Sequence, residues 1–335
     1  MRNIFKKSYL AITLALAGIM TTSTMSTAST KFSEQQPVNQ VPGYYHYLVG
    51  DFTVTAVYDG YIDLSPSLLK GLDEKNIQAL IARMFQIENK EGIQTAINAY
   101  LVNTKEGLVL IDTGSSHCFG PTAGNIVNNI HAAGYQPEEV KAILLTHIHP
   151  DHACGITSPE GKAIFPNATV YISEEENNFR LNSQLVASTS ASEKNQSFTG
   201  MIQKAVAPYI AAKAFRTFKS GEEIISGIKA ISTFGHTPGH TSYLIHSGKS
   251  YMLILGDIVH FYAVQLAHPE VSIEFDIDNN KAIEARKSIF EKASHHQWII
   301  GGAHLPFPGI GHIRKEKQGY NWIPVEYSSV LKITN

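Results

Sequence analysis

Cysteine is nearly absent from this chain: 335 residues contain two, Cys118 and Cys154. One bridge is the most they could form, so a hydrophobic core rather than a disulfide framework must hold the fold. With 43% hydrophobic and 17% charged residues, the chain is rich enough for one large core. Long apolar runs are missing except near the start. There the stretch from Tyr9 to Met20 falls short of the roughly 20 residues a spanning helix needs. Its basic flank (Arg2, Lys6, Lys7) and the small residues of "TTSTMSTAST" have the layout of a secretory signal peptide cut after Ala28. That predicts an exported protein, periplasmic or secreted, with no membrane segment in its mature form. Positive charge is also scarce. Lys and Arg number 27 against 29 Asp and Glu, for a net −2, and removal of the three leader cations leaves −5. No basic stripe remains to track a phosphate backbone, which argues against nucleic acid as a partner.

Repeats are lacking, and so are low-complexity tracts beyond the leader and a polar lead-in to about Gln40. "DFTVTAVYDGYIDL" alternates like a strand, with a turn expected at Asp59-Gly60. "DEKNIQALIARMF" predicts a helix capped by Asp73, and "PTAGNIVNNIHAAG" another, from Pro121 to Gly134. Strands and helices then alternate: "VKAILLTH", "ATVYIS", "IKAISTFGH", "TSYLIHS", "SYMLILGD" and "HQWIIGGAH" read as strands, and "DNNKAIEARKSIFEKA" as a helix. Residues 173–221 are more polar, with helical pieces and Pro208 interrupting the second; they read as a cap-like insertion in a single domain spanning 29–335. The alternation predicts an α/β layered fold.

Four apolar strands end in side chains that can bind metal. "AILLT" runs into His147, His149, Asp151 and His152; "AISTFG" into His236; "YMLILG" into Asp257; "WIIGGA" into His304. Loops just past strand ends hold polar groups at fixed separations. Isolated histidines such as His46, His131, His246, His268, His295 and His296 are ordinary surface or core residues on this reading. The crowded cluster differs, because three neutral imidazoles and a carboxylate are costly to bury without a shared cation. Seven such ligands suit two metal ions, each with an open position.

"HIHPDH", "GHTPGH", the "GD" pair and a late histidine together resemble the signature of the metallo-β-lactamase superfamily. The resemblance implies an αββα sandwich with the metal site along one edge. It implies one metal on His147, His149 and His236, a second on Asp151, His152 and His304, and Asp257 bridging both. Such sites usually hold zinc, with manganese, iron or cobalt as substitutes. It also implies that Asp112, in "LIDTG", and His240 stand behind the ligands and support them.

"PGYYHYLVGDF", "FGPTAGNIVNNIHAAGYQPEEV", "FPNATV", "AHLPFPGIGHIR" and "GYNWIPVEY" resemble the methyl parathion hydrolase family over most of the mature chain. That family hydrolyses organophosphate triesters, aryl esters and lactones, and forms homodimers. The pattern departs where a pocket tryptophan is expected: "NNFRLN" offers Arg180, and one of a Phe pair is Ser197, leaving Phe198. Phe119, Arg180, Phe198, Ile273, Leu305 and Phe307 are the expected pocket residues.

The resulting expectation is a dinuclear hydrolase of small esters, lactones or phosphotriesters that acts through a metal-bridging hydroxide. Asp257 and Asp151 would be its catalytic carboxylates, Asp151 or a metal-bound water donating the proton to an alkoxide leaving group. The alternatives are a β-lactamase or thioester hydrolase, and, from another class, a mononuclear iron oxidoreductase of the same fold. Cys118 and Cys154 both fall in the expected metal-side loops, where spacing alone does not decide whether they pair.

Overall fold

The computed structural model describes residues 40–181, 193–329 and 331, of which 193–197 by backbone alone. Strand-forming runs in the first two thirds of the chain assemble one seven-stranded sheet, and those in the last third a second. The first runs β1 (Tyr44–Val49), β2 (Phe52–Leu64), β4 (Ile93–Thr104), β5 (Gly107–Ile111), β6 (Val140–Leu144), β7 (Thr169–Ser173), β8 (Phe215–Phe218). The second runs β16 (Tyr320–Pro324), β15 (Ile310–Lys315), β14 (Ile299–Gly301), β12 (Ser250–Ile254), β11 (Thr241–Ser247), β10 (Ile228–Ser232), β9 (Glu223–Ile225). β3 (Leu69–Lys70) and β13 (Ser272–Ile273) pair antiparallel as a separate two-stranded sheet.

Alternation along the strands decides which side chains meet. Val54, Tyr100, Val109 and Leu144 of the first sheet pack on Tyr243, Ile245, Met252 and Ile254 of the second. The opposite face of the first sheet (Leu110, Ile143, Val170) is covered by helices Ile126–Ala132 and Glu193–Ala211. The outer face of the second (Leu253, Ile300) is covered by Ile289, Phe290 and Ala293 of helix Asn279–His296. The layering is therefore helix, sheet, sheet, helix: the α/β layers that the alternation predicts, in the order that the superfamily resemblance implies.

Three local expectations need correction. Asp59-Gly60 is not a turn: β2 continues through it as a bulge, with a register shift between Tyr58 and Gly60. Gly60 has φ +144°, and a Cβ there would meet the Thr122 carbonyl, so the bulge needs glycine where the chain crosses closely. The helix expected from Pro121 begins at Ile126, because 122–125 bond back to β2 instead. Pro208 lies inside the last turn of helix Glu193–Ala211, where it removes little of the bonding ladder.

Within 173–221, helix Glu174–Arg180 follows β7, and helix Glu193–Ala211 leads to β8, which pairs parallel with β7. Residues 182–192 and the Ser197 side chain lie outside the described residues. No described helix is long and apolar enough to cross a membrane.

Candidate metal centre

Parallel pairing places the site. Ile111 stands opposite Leu144, and Ile254 opposite Gly301, so the loops after β5 and β6, and those after β12 and β14, leave their sheets side by side. The loop after β10 joins them through Thr241, whose N–H donates to the Thr146 carbonyl. Seven side chains from these loops form two clusters, His147, His149, His236, Asp257 and Asp151, His152, His304, Asp257; within each, the ligand atoms lie within 4.8 Å of one another. All are buried except His149, which is partly open to the cavity.

Asp257 belongs to both. Its Oδ2 lies 3.5 Å from His147 Nε2 and 3.2 Å from His236 Nε2. Its Oδ1 lies 3.0 Å from His152 Nε2 and 3.1 Å from His304 Nε2. Yet Asp257 Oδ1, His147 Nε2 and His152 Nε2 are buried without a hydrogen bond of acceptable geometry. Orphaned polar atoms of this kind are rare in folded proteins, and three of them distributed over the two clusters around Asp257 fit bound cations.

The outer ring nitrogens support this. His304 Nδ1 donates to the Ala96 carbonyl at 2.8 Å, His152 Nδ1 to Asp112 Oδ2 at 2.9 Å, and His236 Nδ1 to Asp276 Oδ1 at 3.0 Å. His147 Nδ1 donates to Thr146 Oγ1, whose own proton goes to Asp112. Each bond fixes one proton outward, so that the neutral ring presents a bare Nε2 to the cluster, the tautomer a metal ligand needs.

Asp112 thus orients His152 directly and His147 through Thr146, from a left-handed backbone with φ +58°. His240 stands outside both clusters: its Nε2 accepts the Asp257 N–H at 2.9 Å, and its Nδ1 donates to the Thr233 carbonyl. Burial and the charge of His236 push it down to about 3, so it stays neutral and holds the Asp257 backbone. Burial alone would raise Asp257, but His152, His304 and His147 outweigh it and hold the carboxyl well below its usual range. Asp151 is likewise raised by burial and lowered overall, chiefly by His152.

Sequence reasoning missed four residues. His260 lies 3.1 Å from Asp257 Oδ2, three positions along in "DIVH". Asp276 orients His236 and is itself backed by Arg286, buried and bonded to the carbonyls of Ile258, Pro269 and Val271. Glu176 accepts from the N–H of Ile148 with one oxygen and that of Gly239 with the other, joining two ligand loops. Asp59 accepts from Ser115, Gly124 and Ile126 and so fixes the loop bearing Phe119. Only Glu176 had a local signal, the Ser-x-x-Glu spacing from Ser173 at a helix start.

A cavity of about 540 Å³ opens onto Asp151, Asp257 and His304. Phe119 and Phe198 line it with edge-to-face rings 6.1 Å apart, and Arg180, Phe275 and Ile277 complete its wall. Three expected wall residues do not. Ile273 is fully buried among Phe261, Val264 and Val271, because β13 turns it inward. Leu305 packs under Gly302 into the second sheet's outer core. Phe307 packs on Tyr58 at 5.3 Å in a neighbouring recess that shares His260 and His304. Cys118 and Cys154 are disulfide-bonded, tying the Phe119 loop to the turn after His152.

A model of the metallo-beta-lactamase superfamily matches residues 92–309. The crystal structure of a hydrolase, AbOPH, in the beta lactamase superfamily is 43% identical, with a TM-score of 0.82 over 87% of this chain and all of that one. AidC, a dizinc quorum-quenching lactonase, is 25% identical, with a TM-score of 0.79 over the same shares. An N-acyl homoserine lactonase of Bacillus sp is 25% identical over 175 residues, 47% of this chain; the match spans 60% of that relative's length.

Proposed function

This chain belongs to the metallo-beta-lactamase superfamily, and from that premise we propose that it is a dinuclear metal-dependent hydrolase of carboxylic esters, lactones foremost. The observation that carries the reading is Asp257, one oxygen turned to each cluster of a complete set of seven ligands, six of them buried. Similarity to proteins named as lactonases supports the substrate class. Bound divalent cations, zinc first among them, would supply at neutral pH a nucleophile from water and polarisation of the scissile group.

The chain's own residues do the rest. Asp112, Thr146 and Asp276 hold the imidazoles in the ligand tautomer. Asp151, held ionised, suits a ligand better than a proton donor. Phe119, Phe198 and Phe275 give the acyl part an apolar wall and keep bulk water from the ligands. Organophosphate triesters are the second substrate class, favoured by the Phe119–Phe198 pair. Export of the mature chain belongs to the same reading: a disulfide suits an oxidising compartment. A homodimer does too, and sedimentation velocity tests it.

The deciding experiment is a panel of aryl acetates, dihydrocoumarin, acyl-homoserine lactones, methyl parathion and nitrocefin on the zinc-loaded protein. Ester or lactone turnover above nitrocefin turnover, abolished in Asp257→Ala, is expected. Turnover of nitrocefin alone would overturn the reading in favour of a β-lactamase.

A further inference from the structure

Four of the five clustering histidines present their outer nitrogen to an acceptor; His149 does not. Its Nδ1 faces the cluster, 3.0 Å from His236 Nε2, and its Nε2 lies 3.0 Å from Arg180 Nη2. A guanidinium can only donate, so here His149 Nε2 accepts and the ring proton sits on Nδ1. That is the wrong tautomer for a ligand whose Nδ1 points inward. When Nδ1 binds a cation, Nε2 must carry the proton, and the Arg180 contact becomes donor against donor. Cation binding would therefore release Arg180.

Among the described residues, a released Arg180 has few other partners. Its side chain is 4% exposed, and its Nε already makes no hydrogen bond. The nearby Glu176 carboxylate acts on it as a counter-charge, but its oxygens accept from the N–H groups of Ile148 and Gly239. Phe179, with its ring centre 5.0 Å from the guanidinium carbon, braces the group without satisfying its donors. Among the described residues lining the cavity, Arg180 is the one Lys or Arg. Two divalent cations would outweigh the charges of Asp151 and Asp257 and leave the centre beside it net positive. Three further carboxylates line the cavity: Glu91 and Glu274 at the exposed mouth, where water and salt screen them, and Asp63, which is half-buried and accepts from the Asn89 side-chain amide. A buried, underpaired guanidinium next to a positive centre calls for an anionic oxygen.

Building on the dinuclear hydrolase reading, we infer that Arg180 is the specificity residue of this cavity: with cations bound, its guanidinium takes a carboxylate on the acyl part of the substrate. The preferred substrate class is then an ester whose acyl chain ends in a carboxylate, ahead of its neutral counterpart.

The test uses the full-length zinc-loaded protein, Arg180→Gln and Arg180→Lys. Phenyl hydrogen adipate and phenyl hexanoate differ only in the terminal carboxylate and provide the kinetic comparison. Adipic acid monoamide and hexanamide provide the same contrast in calorimetric binding without turnover. The wild type should favour the anionic member of each pair by about 10-fold or more, the scale of a charge-assisted hydrogen bond, in KM and in Kd. Arg180→Gln should abolish that preference, and Arg180→Lys should retain part of it. In a chelator competition Arg180→Gln should bind two zinc ions at least as tightly as the wild type, because no contact need be broken. An equal preference in wild type and Arg180→Gln, or zinc binding weakened 10-fold or more in that variant, would overturn the inference. If Arg180→Gln does not fold, a neutral-ester preference in Arg180→Lys and wild type alike would do so. If neither ester is cleaved, the hydrolase reading fails, and the binding pair still decides the role of Arg180.

Discussion

Burial alone would strip His236 of its proton, but Asp257 and Asp276 outweigh it and push its pKa up to about 9 from an ordinary 6.5. A folded pKa above the unfolded one adds stability that is complete below about pH 6.5 and fades as pH climbs through about 9. His304, raised overall by Asp257 and Asp151 against the same burial, acts in the same direction. The chelator-treated protein should therefore lose thermal stability from pH 6.5 to 9 in a melting series, and Asp276→Asn should flatten that loss. A slope unchanged by Asp276→Asn would contradict the assignment. Zinc must displace this proton, so its apparent affinity should rise over the same interval. Asp276→Asn, which loosens the His236 ring, should cost about 10- to 100-fold in zinc affinity, read by chelator competition.

At the scale of elements, the ligand loops are held by close approaches as much as by bonds. A Cβ on Gly155 would meet the Thr113 carbonyl, so Gly155→Ala should cost about 1–3 kcal/mol in denaturant unfolding through overpacking. An unchanged midpoint would mean that the loop after β5 yields easily. The Cys118–Cys154 bond closes a span of 36 residues, and Cys118→Ser with Cys154→Ser should cost about 2–4 kcal/mol. Strands and ligand positions were legible in the sequence because apolar alternation and strand-end polar residues are local signals. The bulge at Asp59-Gly60 and the late start of helix Ile126–Ala132 were not. Both depend on the Asp59 carboxylate reaching Gly124 and Ile126, some 65 residues away. Asp276 and Arg286 were hidden for the same reason: what they bond to is set by tertiary contact.

For the whole molecule, two sheets bring the seven ligand side chains to one edge, and no one element carries the site. The layering was legible because strand and helix periods alternate along the chain. The cavity wall was less so: Ile273 and Leu305 are as apolar as a wall requires, but β13 and the loop after β14 turn them into the core. The central claim is that this edge holds two cations bridged by Asp257. Metal content by inductively coupled plasma mass spectrometry, on protein dialysed after exposure to excess zinc, tests it most directly. Two ions per chain are predicted for the wild type, with fewer than two in Asp257→Ala. One ion or none in the wild type would contradict the account.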